Sequence, residues 1–290
     1  MTKFFKPFVK YFESDSCYNS FMLLCKNIKF NKLPNSPFLK KINYSKYLLI
    51  FTWLVILTLF FSTIFYTYRE RYNIYYIIGN RAFGGEIMNQ KVYNLDIAEF
   101  FLIKANEKKN PELWTNYQLS RINFIRGNLI QAIYFANEEL RLYPNNCRTH
   151  YIRGLAYGYA EDLDNAISDF EIFNKCFPNS WAGHNDLAWF WFKKGDTKKV
   201  IQIIEKVKDF NMGSAWVQNT YGVALMNEGR YNEAEKALLS AKQNSANMTE
   251  EDWGKSYPGN NPLIYKKGLT KLRESIDSNL RILQQKKGGL

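Results

Sequence analysis

Histidine is almost missing from this 290-residue chain, which holds only His150 and His184. It has no Gly-x-Ser-x-Gly, no Cys/His set at metal-ligand spacing and no complete dinucleotide fingerprint. A nucleophile elbow, a zinc site and a nucleotide cradle are therefore not indicated, and no cofactor or metal is implied. Residues 79–84 imitate the start of a phosphate-binding loop, but Gly85 and Glu86 stand where Lys and Ser/Thr must hold phosphate and magnesium. Four cysteines are too few for a disulfide framework, and Cys17 and Cys25 fall in a segment that reads as a tail. Catalysis has little to stand on, and the chain is not expected to be an enzyme.

Acidic residues are scarce where basic ones gather. Residues 1–46 hold nine Lys against Glu13 and Asp15 alone. Then charge vanishes from Tyr47 to Tyr68, a run of 22 positions between Lys46 and Arg69. At about 1.5 Å per residue such a helix spans roughly 33 Å, enough for a bilayer core. Tyr47, Tyr66 and Tyr68 sit at its ends, where amphipathic rings favour the interface. A cleaved signal peptide fits less well, because 46 residues precede the run and no small-residue cutting site follows it. The expectation is one membrane-spanning helix over 47–68, in contact with lipid. The positive-inside bias keeps 1–46 in the cytoplasm and sends the rest to the far side, the periplasm if the source is bacterial. Residues 69–290 carry 30 basic against 25 acidic residues, an excess too mild to indicate nucleic acid.

Beyond the anchor the pattern is periodic. Gly127, Glu161, Gly195 and Gly229 recur every 34 residues, as do Ala132, Ala166, Val200 and Ala234. Ser120, Gly154, Ala188 and Gly222 keep the same phase, with Ile133, Ile167 and Ile201 just after the small residue. Small residues let the two helices of a pair approach, bulky ones fill the space between pairs, and Pro144 and Pro178 stop second helices. The chain resembles the tetratricopeptide repeat (TPR) family, most closely at Gly154, Tyr157, Ala166, Phe170 and Pro178, and again at Gly222, Gly229, Ala234 and Ala241. Val200 and Met212 of the third repeat depart from the usual Ala and Pro, which suggests that its second helix sits slightly further out.

The resemblance implies an all-α solenoid of four clear repeats over 113–248. Residues 69–112 read as a connector, helical through Ile74 to Ile78, followed by a degenerate repeat at about 79–112. In that repeat Ala98 and Ala105 hold the phase while Gly79, Gly84 and Gly85 interrupt the first helix. Residues 249–290 read as a turn-rich stretch ending at Tyr257-Pro258-Gly259-Asn260-Asn261-Pro262, then an amphipathic helix with Tyr265, Leu269, Leu272, Ile276, Leu280 and Leu283 on one stripe. Asn261 is a candidate cap, Pro262 suits the first helical position, and Gly288 marks the end. That helix either covers the open end of the solenoid or docks elsewhere. At the other end Phe5, Phe8, Val9 and Phe12 form a stripe that suits a short helix on an anionic leaflet, with Pro7 tolerable only in its first turn; a disordered basic tail is the equal alternative, and 30–45 reads as linker.

In this family the first helices build the inner face. Carried onto this chain, its candidates are Trp114, Tyr117, Arg121, Phe124, Arg148, Tyr151, Asn185, Trp189, Phe192, Lys193, Trp216 and Asn219. Aromatic rings and arginine are the residue types that dominate binding energy at interfaces. The Lys/Asn clamp that some family members close on a C-terminal carboxylate is largely missing, which favours a hydrophobic or extended peptide. His150 and His184, 34 apart, occupy a packing position, and a metal-binding enzyme built on them is the least favoured alternative. Cys147 opens a first helix and Cys176 closes its partner, so a bond between them is geometrically allowed in an oxidising compartment, with two separate thiols as the other outcome. The expected function is a non-catalytic, membrane-anchored scaffold or adaptor that holds another protein, as in envelope assembly or secretion. The alternative is an accessory subunit of a larger membrane complex, held by its anchor and tail.

Overall fold

The computed structural model describes residues 44–84, 86–87, 90–91, 93–207, 213–256 and 262–289. The stripe at Phe5 to Phe12, most of the linker, Cys17, Cys25, Gly85, Met212 and Asn261 lie outside them. Contacts divide the chain into two units, 1–63 and 64–290.

Helix α1, Tyr44–Arg69, carries no charge between Lys46 and Arg69, and its window Leu49–Arg69 has a mean hydropathy of 2.2 with none of it buried. Trp53, Phe60, Phe61 and Phe65 all face outward. Its threonine hydroxyls turn back onto the helix: Thr58 donates to the Leu54 carbonyl at 2.7 Å and Thr63 to that of Leu59 at 2.8 Å. Hydroxyls satisfied within the helix are what a segment without water contact needs. This helix is long and apolar enough to cross a membrane.

The second unit repeats one motif. Helices α2 (Arg71–Ala82) and α3 (Leu95–Asn106) pair, then α4 (Thr115–Ile125) with α5 (Leu129–Leu142), α6 (Cys147–Tyr159) with α7 (Leu163–Cys176), α8 (Trp181–Lys193) with α9 (Thr197–Glu205), and α10 (Ala215–Asn227) with α11 (Tyr231–Ala246). The turn inside each regular pair needs one left-handed residue. Gly127, Gly195 and Gly229 take φ of 76°, 86° and 75°, and Glu161 takes 64°. Three turns use the residue that adopts this region freely, and one accepts the strain of a side chain. Gly195 has open space where a Cβ would go. Gly195→Ala is therefore expected to cost about 1 kcal/mol through backbone strain alone, read as a lowered urea midpoint with an unchanged slope.

Small residues hold the pairs together. Ser120 donates to the Ala132 carbonyl at 2.8 Å, while Cβ atoms added at Gly154 and Gly222 would meet Phe170 at 3.0 Å and Leu238 at 2.6 Å. Phe170 is fully buried under Gly154, with ring centroids 5.2 Å from Tyr151 and 5.4 Å from Phe190, so it joins two pairs at once. Such burial stabilises by about 2–3 kcal/mol. Helix α9 has 9 residues where α5 and α7 have 14, so the departures at the third repeat coincide with a shortened second helix.

The first pair corrects one expectation. Gly79 does not interrupt a helix: it lies inside α2, where an added Cβ would strike Leu102 at 2.7 Å, so it is the close-approach residue of its pair. Gly154 and Ala166 are 12 residues apart, whereas Gly79 and Ala98 are 19 apart. The extra length is the connection after α2, which includes a two-residue antiparallel ladder, β1 (Glu86–Ile87) with β2 (Gln90–Lys91). That insertion puts α2 ahead of the 34-residue phase while α3 keeps it.

After α11 come α12 (Glu250–Ser256), a single 3-10 turn at Pro262–Ile264 and α13 (Tyr265–Gly288). Pro262 thus opens the 3-10 turn, not the helix itself. Leu269, Leu272, Ile276 and Leu283 are buried, and Arg273 donates to the carbonyls of Ser245, Ala246 and Met248 at the end of α11. A cation there satisfies carbonyls that no further turn can reach. The C-terminal helix covers the last pair, and its apolar stripe is used within the chain.

Candidate functional site

First helices α4, α6, α8 and α10 stand side by side and present their inner faces to two adjoining hollows. The smaller, about 240 Å³, is lined by Phe124, Tyr151, Leu155, Tyr159, Trp181, Ala182, Asn185, Asp186 and Trp216, together with Trp253 and Ser256 of α12. The larger, about 500 Å³, shares Tyr151, Trp181, Ala182 and Ser256 and adds Tyr117, Arg121, Arg148, Phe173, Phe177, Ser180 and Lys255. One trough therefore runs across the repeats, with aromatic residues at one end and guanidinium groups at the other. Helix α12 forms part of its wall.

Ring geometry fixes the aromatic end. Trp181 and Trp216 stack at 5.2 Å, and Phe124 meets Tyr159 edge to face at 5.4 Å. Two polar contacts join neighbouring first helices at the same spacing: Tyr151 donates to Asp186 at 2.6 Å and Thr220 to Asn185 at 2.9 Å, each a step of 35 residues. Burial pushes the Asp186 carboxyl up to about 6, against the hydrogen bonds from Tyr151 and Asn185 that favour its ionised form. Tyr151 is held well above the usual phenol range by burial first and by Asp186 second, and Tyr159 is raised by the same two causes. At the other end, burial lowers the Arg121 guanidinium, which lies 4.6 Å from the Phe83 ring.

Of the candidates from the sequence, Tyr151, Asn185, Trp216 and Phe124 line the smaller hollow, and Tyr117, Arg121 and Arg148 line the larger. Trp114 lines a third hollow of about 570 Å³ with Arg148, Cys147 and Cys176. Four candidates line none of the three. Trp189 and Phe192 stack on each other at 5.5 Å, and Lys193 pairs with Glu161 at 2.7 Å. Asn219 accepts from Asn279 of α13 at 2.9 Å, so the C-terminal helix takes its place. Trp181, Asp186, Tyr159 and Trp253 were not anticipated. Tyr159 holds the last of the inner-face positions in its repeat and was legible, whereas Trp253 reaches the site only because the chain folds back after α11.

Cys147 and Cys176 are joined, with S–S 2.01 Å and Cα atoms 6.3 Å apart. The two histidines have separate partners: His150 bonds Asp169 at 2.7 Å, and His184 bonds the Pro178 carbonyl at 2.9 Å. Burial lowers the His184 pKa. No cluster of three metal-ligating side chains occurs among the described residues. Glu139, fully buried, accepts from the Trp114 and Tyr117 backbone amides at 2.8 and 3.3 Å and from Asn146 at 2.9 Å, so it caps α4 from the neighbouring helix.

No protein-family model and no curated protein matches the chain. Solved structures do share its fold. MamA aligns at TM-score 0.52 with 20% identity over 61% of this chain and 93% of that one, and a MamA RS-1 double mutant at 0.53 with 15% identity over 61% and 96%. YrrB, described as a TPR protein with an unusual peptide-binding site, aligns at 0.47 with 15% identity over 65% and 98%. At such identities the likeness to MamA speaks to the fold alone, a helical solenoid, and the left-handed turns recurring every 34 residues make it one of TPR type.

Proposed function

From a TPR-type solenoid with an aromatic trough, we infer that the chain is a non-catalytic, membrane-anchored adaptor that holds a polypeptide segment of a partner protein. The observation that supports this most is the continuity of the two hollows along the first helices of consecutive repeats, since a surface of that kind accepts an extended chain. Helix α1 tethers the solenoid to the bilayer. Nine lysines before it favour a cytoplasmic N-terminus, and with it a solenoid on the far side, at the envelope in a bacterium. The Cys147–Cys176 bond is consistent with that side being oxidising.

Site-specific photocross-linking in intact membranes tests the trough. Benzoylphenylalanine at Ala182, which lines both hollows, is expected to capture a discrete polypeptide, and the same probe at exposed Ser168 on α7 is not. Equal capture at both positions, or none at Ala182, removes the trough as the binding surface.

A further inference from the structure

We propose that the hollow around Asp186 receives the ammonium group of a lysine side chain from the bound polypeptide, a claim that rests on the trough holding such a segment. Six aromatic side chains line this hollow: Phe124, Tyr151, Tyr159, Trp181, Trp216 and Trp253. The face of each ring carries the negative part of its quadrupole, so rings gathered around one space attract a cation.

The carboxylate among them lacks a cation of its own. Asp186 accepts from the Tyr151 hydroxyl at 2.6 Å and the Asn185 amide at 3.3 Å, both neutral donors, and no described Lys or Arg is ion-paired with it. Two fully buried carboxylates are provided for differently. Asp169 takes the Arg153 guanidinium at 2.7 and 2.8 Å, and Glu139 takes two backbone amides and a side-chain amide. A desolvated carboxylate held only by neutral groups is costly, and a cation delivered from outside offsets that cost. An apolar side chain in the same space leaves the cost in place, and a carboxylate adds repulsion.

Geometry selects lysine over the other cations. Tyr151 bonds Oδ2 of Asp186 and Asn185 bonds Oδ1, so each oxygen already holds one donor; the paired donors of a guanidinium would need a free site on both, whereas an ammonium needs one point of approach. At about 240 Å³ the hollow is smaller than the roughly 300–1,000 Å³ typical of sites for whole small ligands. It opens beside a hollow of about 500 Å³, as a side-chain recess does beside the path of a backbone. The four-carbon stem of lysine then lies along the rings with its charged head at Asp186.

The test uses the full chain in detergent and needs no knowledge of the partner, so it is separate from the cross-linking above. Tryptophan fluorescence, reported by Trp181, Trp216 and Trp253, is titrated with the pentapeptide acetyl-AAKAA-amide, with its norleucine counterpart and with choline. The lysine peptide is expected to bind about tenfold or more tighter than the norleucine peptide, the scale of a desolvated cation–π contact joined to a charged hydrogen bond. Asp186→Asn, nearly isosteric, is expected to erase that preference while the folded circular dichroism signal persists. Equal binding of the two peptides, or an undiminished preference in Asp186→Asn, overturns the ammonium site. Choline binding tighter than the lysine peptide overturns the assignment to a side chain. Loss of cross-linking at Ala182 alongside a retained lysine preference would sink the trough and leave the recess standing.

Discussion

Asp186→Asn is expected to make the protein more stable above pH 6, by about 2–3 kcal/mol. The folded carboxyl titrates near 6 against an ordinary value of 3.8, so the folded state binds a proton more tightly than the unfolded chain does. A group shifted in that direction contributes stability that is fully present below about pH 4 and is lost as pH rises through 6. A shift of about two units corresponds to roughly 3 kcal/mol, an upper bound for a residue that is only half-buried. Asparagine keeps an oxygen for the Tyr151 hydroxyl and carries no charge to desolvate. For a domain of this size the gain corresponds to an increase in Tm of roughly 5–10 °C at pH 7.5, shrinking towards zero at pH 4. Tyr151 and Tyr159, which face the carboxyl, stay protonated over that range because burial raises both. Melting curves of wild type and variant across pH 4–8 check this, and parallel curves would show that the carboxyl is solvated. A residue that lowers stability at neutral pH is the kind retained for binding.

Cys147→Ser with Cys176→Ser is expected to cost about 3–4 kcal/mol. The bond closes a loop of 29 residues around α6 and α7, and cross-linking a loop of that length removes roughly this much entropy from the unfolded chain. Denaturation of wild type with and without reductant, beside the double variant, measures it. The same bond reports the compartment. The chain has four cysteines, two of them in the tail at Cys17 and Cys25. In intact cells lysed into a maleimide reagent, two thiols are expected to react before reduction and four after it. Four reacting at once would place the solenoid in a reducing compartment.

Much of the fold was legible because it is written locally and repeatedly. A residue at the end of a first helix must turn left-handed, so the phase of Gly127, Gly195 and Gly229 located the hairpins, and Glu161 followed from the phase although its side chain argues against it. The stripe on α13 was legible for the same reason, since Leu269, Leu272, Ile276 and Leu283 obey one helical period. Gly79 was misread because its role depends on what packs against it, and the insertion after α2 broke the phase that would have revealed Leu102 as its neighbour. Asn219 was misplaced because Asn279, 60 residues further on, arrives from an element outside the repeat.

The sequence by itself determined the period, the pairing of helices and the apolar span, because 34-residue spacing and an uncharged run act through contacts close along the chain. Only the tertiary structure decided where the trough deepens. Asp186 meets Tyr151 because neighbouring first helices lie side by side, and Trp253 joins the recess because α12 returns to the first helices. Burial of a charge depends on everything around it in space, and no local spacing carries that information.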